Sequence, residues 1–172
     1  MSTTKTLGAG LAFDPEKDLA RFAEMAAQGK RLAGIAHLGH GWRFVDGEPE
    51  DVVFDLAYEL DPDTDYLEYF WAAGWSHVLT AGNVHIFKAA PGTAPVHTGV
   101  ESRREELLRE RNRFVGFSLV TLLLFVGVGL GLRHVDWNVW LEMALLITAL
   151  IHVVYTVLPL MGYWCRSGRR RR

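Results

Sequence analysis

Residues 114–132 are nineteen positions without a single charge. As a helix they would be ~28 Å long, close to the ~30 Å hydrocarbon core of a bilayer. A core helix of a soluble protein rarely runs this long without a polar face, and this stretch has none. A second apolar stretch, residues 139–165, contains Glu142 and His152 but is long enough to cross with tilt. Only "RHVDWN" (133–138) joins the two, which predicts a tight antiparallel transmembrane hairpin.

The flanking charges predict sidedness. Arg103, Arg104, Arg109, Arg111 and Arg113 precede the first span, Arg166, Arg169, Arg170, Arg171 and Arg172 follow the second, and the joining loop has Arg133 alone. Cations stay on the cytoplasmic side, so both termini are expected inside, in a bacterial inner membrane. The five C-terminal arginines read as an anchor on anionic lipid, not as a nucleic-acid contact. Trp137, Trp140, Tyr163 and Trp164 fall near the ends of the second span, where amphipathic rings prefer to lie. The helix predicted for "ESRREELLRERNR" is expected to continue unbroken into the first span, as a solvated stalk or a stiff rod.

The rest of the chain differs in kind. Residues 1–100 hold seven Lys/Arg against fourteen Asp/Glu, whereas residues 101–172 hold eleven against six. An acidic domain is therefore fused to a basic, membrane-proximal region. The single cysteine, Cys165, excludes an intrachain disulfide. Residues 1–13 lack a signal-peptide core and read as a flexible N-terminus.

Residues 14–90 read as a cytoplasmic α+β domain. Asp14 or Asp18 caps a helix that Gly29 stops. "RLAGIAHL", "GWRFVDGEP" and "DVVFDLAYEL" read as strands, the third alternating well. "DPDTD" opens a second helix ended at Gly74, and "SHVLT" and "NVHIFKA" form a last hairpin. The order is αββ-β-αββ, with a repeat that aligns Gly29 with Gly74 and Phe44 with Phe87. It predicts two helices on one face of a sheet of about five strands. The other face would carry Arg43, Val45, Val53, Asp55 and Ala57, a surface too apolar for bare solvent and hence a candidate partner site. A protein partner is expected there, with homodimerisation as one form of it. Residues 91–113 are expected to be a linker and charged helix, and 166–172 a basic tail.

"GKRL", "WRFVDGEPEDVVFDLAY", "AGW" and "NVHIF", followed by a linker and two spans, resemble the bacterial membrane-anchored family of domain of unknown function 2812. The resemblance runs from about Leu19 to Cys165. Its most telling residues are Phe44, Gly47, Glu48, Pro49, Asp55, Gly74, Trp75, Ile86 and Phe87, and none is a reactive motif. It implies a cytoplasmic domain tethered by a C-terminal helix pair in a regulatory or envelope-response setting, and it implies no catalytic residues. Lys30 departs from it, since the family more often has an aromatic residue after the glycine.

Other constellations favour structural readings. His37 and His40 are three apart and would face opposite sides of a strand; with His77 and His85 they make a poor zinc set, and no metal or other cofactor is expected. Asp61, Asp63 and Asp65 imitate a calcium loop, but Pro62 intrudes and Tyr66 stands where glycine is needed. Gly127 and Gly131 form a small-xxx-small pair, expected to pack against Ala144 and Thr148 of the second span. His152 lies near mid-span and shares a helical side with Thr148, Tyr155 and Thr156, so these residues and Glu142 are the intramembrane polar candidates.

No nucleophile–base pair, metal set or phosphate loop is visible, so the chain is not expected to be an enzyme. The expected function is a membrane-anchored, partner-binding module in sensing or regulation. The alternative is a small membrane subunit or immunity-type protein acting through its hairpin.

Overall fold

The computed structural model describes residues 2–60, 62, 65–96, 100–131 and 139–169. They form two compact units, 1–103 and 104–172. The first contains β1 (Thr3–Leu7), α1 (Pro15–Ala27), β2 (Lys30–Ala36), β3 (Gly41–Asp46), β4 (Val53–Tyr58), α2 (Tyr66–Ala72), β5 (Ser76–Ala81) and β6 (Val84–Ala89). The helix α3 (Val100–Gly131) leads into the second unit, which continues with α4 (Val139–His152) and α5 (Leu158–Arg169). A π-helical turn, Val153–Val157, separates α4 from α5.

The strands form two antiparallel sheets, β1-β3-β2 and β4-β6-β5. The chain thus runs β-α-β-β twice with the same strand order each time. The likeness extends to detail. In the first sheet the register shifts between Leu32 and Gly34 of β2, and in the second between His77 and Leu79 of β5. Phe44 pairs with Leu32, and Phe87 pairs with His77. Gly29 and Gly74 follow α1 and α2 with φ of 72° and 88°, a left-handed turn that glycine enters without Cβ cost. The expected repeat is present, and each copy contains one strand more than the αββ unit read from the sequence.

Two expectations are corrected here. Residues 3–7 are a strand and not a flexible leader, because Thr3–Leu7 pairs along the open edge of β3, from Thr3↔Val45 to Leu7↔Gly41. The single sheet is two sheets, each with a helix of its own. The helices therefore do not share one face.

In α1, Asp14 caps the first turn by accepting from the Lys17 amide at 3.2 Å, and Pro15 supplies a preset φ. One turn on, the fully buried Asp18 accepts the amides of Ala9 (2.8 Å) and Gly10 (3.1 Å), which fastens the β1–α1 loop to the helix. Phe22 centres the first core. Its ring lies 4.9 Å from Trp42, 6.1 Å from Phe44 and 5.6 Å from Phe54, so α1 touches β3 and also β4 of the second sheet. The second core is under α2, where Phe70 lies 4.3 Å from Phe87 among Ala57, Trp75 and Ala89. Burying such aromatic side chains contributes about 2–3 kcal/mol each.

The helix α3 is continuous for 32 residues, so its charged start and its apolar run are one rod. Two 28-residue segments, Arg104–Gly131 and Val139–Arg166, are long and apolar enough to cross a membrane, and neither apolar window is buried. Leu123, Leu146 and Leu150 are all more than 60 % exposed. Water-soluble surfaces rarely present apolar area on this scale, and a bilayer accommodates it. Phe114 stacks on Tyr163 at 5.4 Å, Arg111 lies over Trp164 at 5.3 Å, and Phe125 faces His152 at 5.9 Å. These pairs run antiparallel, as a hairpin requires.

Candidate functional site

The proposed partner surface does not exist as one face. Phe54, paired with Lys88, turns toward Phe22, so the alternate β4 residues Val53, Asp55 and Ala57 take the opposite side. That side packs under α2, where Val53 and Ala57 belong to the second core. Asp55 is buried there and accepts the Leu56 amide (2.9 Å) and the Val96 amide (3.0 Å). The Trp75 indole donates to Ala94 O at 2.9 Å. Asp55 and Trp75 thus clamp residues 94–96 onto the second repeat, within a few residues of the start of α3. Arg43 and Val45 belong to the other sheet. Trp42 and Phe44 point at Phe22, so Arg43 and Val45 alternate onto the helix-free side, Arg43 exposed and Val45 half-buried.

A cleft of about 160 Å³ lies between the repeats, reaching from Ala26 and Leu32 to His77 and Val78. Its walls include Phe54 and Arg31, and a Lys88–Glu50 ion pair crosses it. The cleft has the size of a side chain and falls below the range of ordinary ligand pockets.

Beside it, three side chains form a polar chain. The Nε2–H of His85 donates to Glu59 O at 3.1 Å. In the neutral ring Nδ1 is then an acceptor, so the Thr80 hydroxyl donates to it at 3.1 Å. The Thr80 oxygen in turn accepts from His77 Nε2–H at 2.9 Å. Burial, then the neighbouring His85, lowers the His77 pKa from its ordinary 6.5. On the first sheet, Lys30 pairs with Asp46, and with Ser2 it holds the Asp46 carboxyl far below the ordinary carboxylate range. His37 and His40 sit at either end of the β2–β3 turn. Among the described residues no group of three or more His, Cys, Asp or Glu could hold a metal ion. Asp61 and Asp63 lie outside the described residues.

The hairpin brings part of its predicted polar cluster together. His152 Nδ1 meets the Thr156 hydroxyl at 2.6 Å, immediately before the π-helical turn. The Thr148 hydroxyl instead donates back to Ala144 O at 2.7 Å, and Tyr155 is exposed. Glu142, in the first turn of α4, is exposed. Among the described residues the expected packing of Gly127 and Gly131 on the second span is absent. A Cβ at either position would meet nothing within 4 Å. At about 100° per residue, Gly127 falls almost opposite Phe125, the residue that faces His152. Thr148 instead borders a groove of about 250 Å³ with Thr121, Phe125 and Val128. Arg166 is half-buried at the end of α5; the Arg169 side chain, Arg170, Arg171 and Arg172 lie outside the description, as do loop 133–138 and Trp137.

The architecture defines a class: a duplicated βαββ domain followed in the chain by a pair of membrane-length apolar helices, of which α3 is the first. Within that class, the chain belongs to the family described as protein of unknown function (DUF2812), which matches residues 14–119. The match ends inside α3, short of the Cys165 limit expected from the sequence, so α4 and α5 lie beyond it. No curated protein and no solved structure matches the chain.

Proposed function

We propose that the chain is a membrane-anchored cytoplasmic module that binds a protein partner, with a sensing or regulatory role in the envelope response. In this reading both termini lie on the cytoplasmic side of a bacterial inner membrane, and the arginines that flank the spans support that orientation. The observation that carries the reading is the clamp that closes the folded domain a few residues before α3 begins. Asp55 and Trp75 hold residues 94–96 to the second repeat, and α3 then runs unbroken for 32 residues. A partner seated in the inter-repeat cleft would bear on β5, the strand next to that clamp. The cleft admits one side chain of the partner, and the Lys88–Glu50 pair supplies polar contacts at its edge.

The test is affinity purification of the full chain from membranes in mild detergent, beside Val78→Trp, which fills the cleft. A protein recovered with the parent chain and lost from the variant supports the reading. Repeated recovery of the parent chain alone refutes it. Outside labelling of terminal tags on intact cells refutes the orientation.

A second reading, action through the hairpin itself, is favoured by His152, an intramembrane imidazole bonded to Thr156 beside a π-helical turn. It requires the isolated spans to retain activity and His152→Ala to abolish it.

A further inference from the structure

The first sheet has one side without a helix, and its chemistry is one-sided. Register places Leu7, Gly41 and Ala36 in one row across that side, Lys5, Arg43 and Gly34 in the next, and Thr3, Val45 and Arg31 in the third. Three of these nine positions are cations and none is acidic. The surrounding segment, residues 1–100, is otherwise acidic, with fourteen carboxylates against seven cations. Two of the seven are spent on ion pairs, Lys30 on Asp46 and Lys88 on Glu50. Lys5, Arg31 and Arg43 are exposed, and among the described residues none forms an ion pair. Gly34 leaves room for the guanidinium: a Cβ there would lie 2.7 Å from Arg43 Nη2. The Arg43 side chain therefore lies across β2, where it donates to Ala33 O at 3.0 Å.

One end of the face is apolar. Leu7 is 65 % exposed, and it pairs with Gly41 beside the β2–β3 turn. In that turn His37 and Leu38 hold φ of 52° and 56°, and Leu38 is 86 % exposed. A leucine in left-handed backbone and almost fully in water is costly twice over, and such residues concentrate at functional sites.

The geometry points to this face as a docking surface for the anionic headgroups of the membrane that holds the chain, with Leu38 entering the interface. The inference rests on the membrane-anchored reading above. Three spaced cations without acids match a plane of phosphates, and an exposed leucine beside them matches the boundary between headgroups and acyl chains. Tethering by the helix pair makes the contact intramolecular, so weak attraction suffices. Each cation near an anionic surface contributes about a fivefold factor, roughly 100-fold for three.

The test uses the full chain, with Cys165→Ser, in nanodiscs of pure phosphatidylcholine or with phosphatidylglycerol added. A dye on Thr3→Cys reports the face, and one on Glu68→Cys reports α2. The readout is quenching by a headgroup-bound spin label. The expected result is quenching of the Thr3 probe in anionic discs, several-fold weaker in neutral discs, with the Glu68 probe insensitive to lipid charge. Charge reversal by Lys5→Glu, Arg31→Glu and Arg43→Glu should abolish the difference. So should 1 M salt on the unreversed chain, which guards against misfolding of the variant. Equal quenching in both discs overturns the docking while leaving the anchor intact. An unquenched Thr3 probe that cross-links to an acidic protein also overturns it. A chain that does not enter discs at all overturns the anchored reading, and the docking with it.

Discussion

Asp55→Ala tests the clamp that holds residues 94–96 to the second repeat. The carboxylate accepts the Leu56 amide at 2.9 Å and the Val96 amide at 3.0 Å, from a position only 6 % exposed. Each bond to a charged acceptor contributes about 1.5–3 kcal/mol. The full sum overstates the loss, because Val96 is half-buried and its amide can find water once released. Leu56 is buried on the edge strand β4, and its amide has less recourse. The expected destabilisation is about 2–4 kcal/mol. Asp55→Asn keeps one neutral acceptor and should cost about half as much. Hydrogen exchange on the full chain in mild detergent separates the two consequences. Peptides covering residues 94–96 should lose protection first, while those covering β5 and β6 report the fall in stability of the second repeat. Helix α3 should keep its protection, since its own ladder is intact. Unchanged exchange at Val96 in Asp55→Ala, or a stability loss under about 0.5 kcal/mol, would refute the clamp.

Phe22→Ala removes a ring that is 1 % exposed and touches three others, and should cost about 3–5 kcal/mol in urea unfolding. Gly29→Ala should destabilise by about 2 kcal/mol or more, because its Cβ would lie 2.8 Å from Gly47 O in left-handed backbone. Gly92→Ala, left-handed but with nothing within 4 Å, should cost only about 1 kcal/mol in the same assay; equal losses would refute the close contact. His77 titrates lower in the fold than when unfolded, so between the two values the unfolded chain binds more protons. Its contribution is therefore complete above pH 6.5 and is lost as pH falls through 6.5 toward the folded value. Unfolding followed across that window should lose this component in His77→Gln; an unchanged slope would refute it.

The apolar spans were legible because nineteen uncharged residues have few alternatives. The repeat was legible through Gly29 and Gly74, which end helices, and Phe44 and Phe87, which fill matching places in the two sheets. Strand β1 escaped because "TTKTL" has no apolar alternation; its partner's edge, not its own side chains, makes it a strand. The mistaken partner surface has a related cause. Alternation along β4 marks one apolar row, Phe54, Leu56 and Tyr58, and periodicity cannot reveal that the opposite side is also covered. Asp55 looked like an outward acid because its partners, including the Val96 amide forty-one residues on, leave no mark in the local pattern. The glycines of α3 were correctly seen as small and wrongly given a neighbour, since the helical phase of two spans relative to each other is not written in either one.

A chain built as two like halves has a history and a liability in the same fact. Half of it, expressed alone, would present the surface that its sibling now covers, and a second molecule of that half would be the nearest substitute. During synthesis the first βαββ half leaves the ribosome before the second exists, so neighbouring nascent chains could exchange halves. The short segment between β3 and β4 makes self-pairing quicker than exchange, and lengthening it should shift the product toward interlocked pairs.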